Sequence, residues 1–187
     1  MTCGSGLLTA TGLCALLLLA SCAALRPRPK DPGLTLLPPS GAGFTRTLTQ
    51  SLTVHRGGQA LQSLVVAEIS PTSDRLVALG PLGNRVLTLV WDGVHLKQER
   101  DPSLPKAFPA ELVLRDFQLA YWTPDAIRTG LPSGWTLEVG PHERTIKDEG
   151  EAVIAIHFAG DPFKDSIDFE HKTLGYRLTI EQVNPTP

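Results

Sequence analysis

The four residues Leu19-Ala20-Ser21-Cys22 are the part of this sequence best suited to a defined chemical reaction. An apolar residue three positions before a cysteine, with small residues between, is typical of a lipoprotein signal, whose cysteine is acylated. The apolar stretch from Leu13 to Leu25 is interrupted at Ser21 and Cys22 and is shorter than the roughly 20 residues that span a bilayer. We therefore expect residues 1–21 to be a cleaved signal peptide and Cys22 to carry the lipid anchor. The alternative is an ordinary secretory signal with a cysteine near its cut site by chance.

The composition excludes several classes of site from the mature chain. All three cysteines lie at or before position 22, so the folded part has no disulfide, thiol nucleophile or thiolate metal site. The net charge of −2 argues against nucleic acid binding, which needs a clustered basic surface. The length after the signal suits one domain with a sizeable core.

No motif in the sequence predicts catalysis. There is no Gly-x-Ser-x-Gly, His-Glu-x-x-His or phosphate-binding glycine loop. No two of the five histidines have ligand spacing on a common helix, and the acidic residues of 161–170 lack the spacing of a calcium loop. We therefore expect neither an enzyme, nor a metal site, nor a cofactor. A hydrolase acting on lipid is the least favoured reading.

The segment after the signal is rich in proline and glycine. Pro27, Pro29, Pro32, Pro38 and Pro39 fall between Ala23 and Ala42, with little usable periodicity. Such composition is typical of a semi-extended linker. We therefore expect the lipidated cysteine and a tether over residues 22–43, followed by one folded domain over residues 44–184.

Alternating apolar and polar residues predict that this domain consists mainly of strands. Between Phe44 and Arg56 apolar residues occupy even positions and hydroxyl residues the odd ones, as in a half-buried strand. Gly57-Gly58 turns the chain into a second strand, and Asp92-Gly93 is a strong hairpin signal. Similar runs continue to Ile180, which gives eight or nine antiparallel strands.

A single helical insertion interrupts the strands. Apolar residues recur at helical spacing from Val113 to Tyr121, and Pro124 begins a short second helix with Thr123 as its cap. An apolar sheet face must be covered, and the insertion between Ala110 and Gly130 is the available cover. The predicted fold is mainly β (α+β), a curved antiparallel sheet forming an open or half barrel with a short helical lid.

Six aromatic residues are candidates for lining a pocket under this lid, because they lie on the helix or on strand faces expected to point inward. They are Trp91, Phe117, Tyr121, Trp122, Trp135 and Phe158. The alternative is that they form a filled, well-packed core.

In the order of these elements the sequence resembles the LolA and LolB lipoprotein carriers. It also resembles a family of uncharacterised LolB-like lipoproteins found with aryl-polyene lipid biosynthesis genes. LolB carries a Pro-Leu-Gly loop between two strands, whose leucine projects into solvent and inserts into the membrane. Here Pro81-Leu82-Gly83 lies between two alternating runs. The resemblance therefore implies that Leu82, with Pro81 and Gly83, contacts membrane or cargo. The other reading of Leu82 is a turn residue folded back onto the sheet.

These observations give two functional expectations. The first is a monomeric lipoprotein that binds lipid or lipidated cargo in an apolar cavity and helps place it at the membrane. Ala23 after Cys22 implies, by the sorting rule of enteric bacteria, the periplasmic face of the outer membrane. The second is a non-catalytic scaffold with a filled core, which recruits periplasmic or membrane enzymes through an edge strand or loop. For both functions a periplasmic carrier or an envelope protein is a candidate partner.

Overall fold

The computed structural model describes residues 33–102, 104 and 109–183. Predictions for the signal peptide, for Cys22 and for the first part of the tether lie outside these residues. The described residues contain one antiparallel sheet of ten strands, in the order β5-β4-β3-β2-β1-β10-β9-β8-β7-β6. The strands are β1 (Arg46–Arg56), β2 (Gln59–Ile69), β3 (Asp74–Leu79), β4 (Arg85–Trp91), β5 (Leu96–Arg100), β6 (Trp135–Val139), β7 (Glu143–Asp148), β8 (Glu151–Phe158), β9 (Ile167–His171) and β10 (Tyr176–Gln182).

The sheet stays open, because β5 and β6 form its two edges and do not pair with each other. The prediction of a mainly β fold with a curved open sheet is confirmed. The number of strands was underestimated, because β7 has Ile146 as its only apolar residue and gives no alternating pattern. Ile146 is fully buried between its partners Leu137 and Ile154, so this strand is held by its neighbours.

Strand β1 follows its hydroxyl pattern. Leu48 and Gln50 are buried on the concave face, whereas Thr47 is exposed on the opposite face. Gly57 and Gly58 have φ angles of +57° and +77°, which a two-residue type I′ hairpin requires at both positions. At the other hairpin Asp92 Oδ1 accepts hydrogen bonds from the amides of Val94 and His95 at 2.8 and 2.6 Å. Both predicted turns are confirmed.

The lid consists of α1 (Ala110–Tyr121) and α2 (Pro124–Thr129). Thr123 caps α2 as predicted, its hydroxyl accepting a hydrogen bond from the amide of Ala126 at 3.3 Å. The end of α1 is fixed by Arg144 of β7, whose Nη1 donates to the carbonyl oxygens of Leu119, Ala120 and Trp122 at 3.0, 3.1 and 2.9 Å. A guanidinium at a helix C-terminus satisfies orphan carbonyls and complements the helix dipole.

Residues 33–43, which we call the strap, pack against the lid. Leu34 and Leu37 are buried in the core. Gln118 of α1 contacts both polar groups of Leu37: Leu37 N donates to Gln118 Oε1 at 2.7 Å, and Gln118 Nε2 donates to Leu37 O at 2.8 Å. The predicted tether over 22–43 therefore extends too far, because composition rich in proline and glycine hid the leucines that anchor this segment. The packed domain includes the strap.

A buried carboxyl lies behind the strap. Asp74 of β3 is fully buried, and its Oδ2 accepts a hydrogen bond from Gln118 Nε2 at 3.2 Å. Burial raises the pKa of Asp74 from 3.8 to about 7, and the Gln118 bond offsets this only in part. The folded chain therefore keeps a proton on Asp74 at pH values where the unfolded chain has lost it.

We expect Asp74→Asn to remove a pH dependence of stability. As pH rises from 4 to 7, the unfolded chain ionises at this site while the folded chain does not, so the wild type loses stability relative to the variant. The difference in unfolding free energy should change by about 1 kcal/mol per pH unit and level off above pH 7. Urea unfolding of both proteins at each pH measures it. A difference that is constant from pH 4 to pH 7 would contradict the assignment.

Candidate functional site

A cavity of about 390 Å³ separates α1 from the concave face of the sheet. Its walls come from the middle of the sheet and from one side of the helix. They consist of Gln50, Leu52, Val54 and Arg56 of β1, Val65 of β2, Leu76 of β3, Tyr176, Leu178 and Ile180 of β10, and Pro109, Leu112, Val113, Asp116 and Phe117 of the lid.

The cavity has a closed end and an open end. Along β1 its lining runs from Gln50, which is buried, to Arg56, which is exposed. Six residues of extended strand separate these positions by about 20 Å. The cavity is therefore an elongated, mostly apolar space that opens beside Arg56 and the β1–β2 turn.

A polar cluster forms part of one wall. The Tyr176 hydroxyl donates a hydrogen bond to Asp116 Oδ2, and both residues are buried. Behind them lies fully buried His171, whose ring centroid is 5.2 Å from that of Tyr176. His171 Nδ1 accepts a hydrogen bond from the amide of Leu174 at 3.3 Å. The cluster joins α1 to β9 and β10 and so fixes the height of the lid above the sheet.

A second polar contact closes the inner end. Tyr121 of α1 accepts hydrogen bonds at its hydroxyl from Gln50 Nε2 and from Gln182 Nε2, the latter at 3.0 Å. Burial raises the pKa of Tyr121 to about 12, so its hydroxyl stays protonated at neutral pH. This contact holds the C-terminal end of α1 directly on the sheet.

Of the six aromatic residues predicted to line a pocket, only Phe117 lines this cavity. Tyr121 closes its end through the contacts just described. Trp122 is fully buried, and its Nε1 donates to Pro38 O at 3.1 Å. Trp91 Nε1 donates to Leu37 O at 2.8 Å. These two tryptophans therefore hold the strap, because an indole N–H in a core needs an acceptor.

The last two predicted aromatic residues lie in the β6–β8 part of the fold. Phe158 is buried under the guanidinium of Arg144, which lies 5.1 Å from its ring centroid. Trp135 is half-buried in edge strand β6 and packs against the core. For these residues the packed-core alternative is the better account.

The cavity walls are mainly aliphatic, and the alternating pattern of two strands signals the residues that form them. Leu52 and Val54 belong to the apolar face of β1, and Leu178 and Ile180 to that of β10. Leu52 pairs with Ile180 and Val54 with Leu178. The pairing of the first strand with the last builds the cavity floor, and no local pattern reveals a contact of that sequence separation.

The Pro81-Leu82-Gly83 loop projects from the sheet. Leu82 is 94% exposed, the most exposed large apolar side chain among those described. The loop is closed by Gly80 N donating to Asn84 O at 2.8 Å and Gly83 N donating to Gly80 O at 2.9 Å. The alternative of a leucine folded back onto the sheet is therefore wrong.

Strand direction orients this loop in the same sense as the cavity mouth. The β1–β2 turn and the β3–β4 loop are alternate hairpins of one antiparallel meander, so they point in the same direction along the strands. The register sets the β3–β4 loop back, because Leu79 pairs with Leu64 and Leu64 pairs with Ser51, five residues before Arg56.

The described residues show neither a metal-binding cluster nor a membrane-spanning helix. No group of three or more histidine, cysteine, aspartate or glutamate side chains in residues 33–102 and 109–183 is arranged to hold a metal ion. Within the same residues no helix is long and apolar enough to cross a membrane.

The fold and the cavity define the class of structure, an open antiparallel half barrel with a helical lid. The chain belongs to a protein family of unknown function, DUF3261, which matches residues 47–184. No curated protein matches the sequence. A solved structure, a DUF1329 family protein from Desulfovibrio piger, is similar with a TM-score of 0.42 and 10% sequence identity, covering 78% of this chain and 87% of that chain.

We expect Tyr176→Phe to destabilise the fold by about 1–3 kcal/mol, because it removes a hydrogen-bond donor from the buried Asp116 carboxyl. Thr179→Val is the matched control, since it removes a hydroxyl from the exposed side of the same strand. Its effect should stay within about 0.5 kcal/mol. Urea unfolding at pH 7 measures both. Equal effects for the two variants would show that the Tyr176 hydroxyl does not fix the lid.

Proposed function

We propose that this protein is a non-catalytic lipoprotein that binds an acyl chain in the cavity under α1 and helps place it at the membrane. In this proposal Cys22 carries the lipid anchor, and the domain lies at the periplasmic face of the outer membrane. The cavity is the observation that carries the proposal. Its lining is largely aliphatic, and each acyl methylene buried there would contribute about 0.8 kcal/mol.

The arrangement of the walls supports binding more than it supports catalysis. The polar groups of the inner end and of the lid wall are engaged with each other, Gln50 with Tyr121 and Asp116 with Tyr176. Their role in the proposal is to keep the lid at a fixed height. Binding by burial of apolar area requires no reacting side chain.

Leu82 supports the second half of the proposal, delivery to a membrane. A leucine that is 94% exposed gains free energy by entering an apolar phase, and its loop points in the same direction along the strands as the cavity mouth. The resemblance to LolB assigns such a leucine to membrane insertion. Contact of this loop with a bilayer would turn the mouth towards the lipid surface.

The competing function is a scaffold that recruits an envelope protein. Its structural support is edge strand β6, which leaves one side unpaired and carries Val139, 45% exposed. An open strand edge can add a strand from a partner. This function predicts a protein that copurifies and a cavity that never holds lipid.

We expect Leu178→Trp to remove bound lipid, because the larger side chain fills the cavity from its floor. The unaltered chain should release acyl lipid on solvent extraction, measured by mass spectrometry, and the variant should release at least fivefold less. Glu181→Trp is the control, since it places the same side chain on the exposed face of the same strand and should keep the lipid. Absence of lipid from the unaltered chain would favour the scaffold.

We expect Leu82→Glu to slow delivery without loss of binding, because a carboxylate opposes entry into the bilayer. The measurement is transfer of a fluorescent acyl chain from the protein to phosphatidylethanolamine–phosphatidylglycerol vesicles, with a rate about tenfold lower. Asn84→Glu adds the same charge to the same loop and should change the rate much less. Equal rates for the two variants would assign the loop no role of its own.

A further inference from the structure

We propose that the cavity selects a single-chain amphiphile with an anionic head, whose tail lies under α1 and whose head is held by Arg56 at the mouth. This inference rests on the proposed lipid-binding function and specifies its ligand. Three observations carry it: the size of the cavity, the place of Arg56, and the chemistry of the inner end.

The size of the cavity limits the ligand to one chain. A methylene group fills roughly the volume of a water molecule in the liquid, about 30 Å³. The volume of about 390 Å³ therefore admits about a dozen methylene groups. One medium-length chain fits this space. The two chains of a phospholipid or the three of a mature lipoprotein do not.

Arg56 stands where the head of such a chain would emerge. It is the last residue of β1, it lines the cavity, and it pairs across the strands with Tyr176. Its side chain is on the exposed side of the mouth, next to the Gly57-Gly58 turn. A ligand extended along β1 with its tail towards Gln50 would leave its head group beside this guanidinium.

The other arginines of the described residues are already engaged. Arg75 pairs with Glu68, Arg85 with Glu99 and Arg177 with Glu170. The remaining arginines are Arg46, Arg100, Arg115, Arg128 and Arg144, each of which also has an interaction partner. For Arg56 no carboxylate lies within 4 Å among residues 33–102 and 109–183. The mouth of the cavity thus presents a cation with unused donors, which suits a carboxylate or phosphate.

The inner end sets the direction of the ligand. Gln50 and Tyr121 close that end and are hydrogen-bonded to each other, and Arg56 is the one cationic residue among the described residues that line the cavity. An anionic head pushed inward would be desolvated without a counter-charge, which is unfavourable. At the mouth the same head would meet Arg56 and remain in contact with water. The tail therefore enters first.

The test uses photoreactive, alkyne-bearing twelve-carbon chains with four heads: carboxylate, phosphate, hydroxyl and trimethylammonium. Membranes that contain the full-length protein are labelled, and peptide mass spectrometry locates the attachment sites. We expect the two anionic probes to label cavity residues such as Leu52, Leu112 and Leu178 about threefold to tenfold more than the other two. A two-chain phosphatidic acid probe should label them weakly.

Arg56→Gln should reduce labelling by the anionic probes to the level of the alcohol probe and leave alcohol labelling unchanged, which also reports that the fold is intact. Arg85→Gln, at a nearby hairpin, removes the same charge and serves as the matched control. It should preserve the stronger labelling by the anionic probes.

Equal labelling of the cavity by all four head groups would overturn the role of Arg56 but would leave the lipid-binding function standing. Strong labelling by the two-chain probe would overturn the single-chain limit. Failure of every probe to label the cavity would overturn the proposed function itself.

Discussion

The whole structure depends on how one short helix covers the concave face of a wide open sheet. Ten strands spaced about 4.8 Å apart span about 43 Å from edge strand to edge strand, whereas the twelve residues of α1 form a cylinder about 18 Å long and 10 Å across. The strap and α2 cover part of the remaining apolar surface. The helix cannot sink fully onto the middle strands, because it is held at a set height, and the cavity is the space that remains.

Buried polar contacts from three separate elements hold that height. Arg144 of β7 binds the carbonyl end of α1, Tyr176 of β10 binds Asp116, and Gln118 binds the strap at Leu37. Breaking a buried hydrogen bond costs more free energy than shifting an apolar contact. These bonds therefore fix the position of the helix along the sheet and its rotation about its own axis. Apolar packing alone would allow α1 to slide or to drop towards the sheet. The polar contacts therefore maintain the cavity, although the aliphatic walls would supply the free energy of binding.

The parts of the fold that could be predicted are those with a local signal. Three such features are confirmed: the alternation along β1, the Asp92-Gly93 hairpin and the Thr123 cap. Each of them depends on residues that lie within a few positions of one another in the sequence. Strand β7 was missed because its extended conformation depends on pairing with β6 and β8 and not on its own composition. The strap was missed because its proline and glycine residues suggest a linker, whereas the partners of Leu34 and Leu37 lie some 80 residues away in the sequence. The prediction of the cavity lining failed for the same reason, because the cavity floor is formed by β1 and β10, which are far apart in the sequence. Most of the aromatic residues predicted to line it pack against the strap and in the core instead.

The most direct test of the central claim, that an acyl chain lies between α1 and the sheet, is a crystal structure of the protein with a bromine-labelled twelve-carbon chain. We expect an anomalous bromine peak inside the cavity, between Leu52, Val113 and Leu178, with α1 at the height fixed by Asp116 and Tyr176. A helix collapsed onto the sheet, with the cavity filled by side chains and bromine absent from it, would contradict the account.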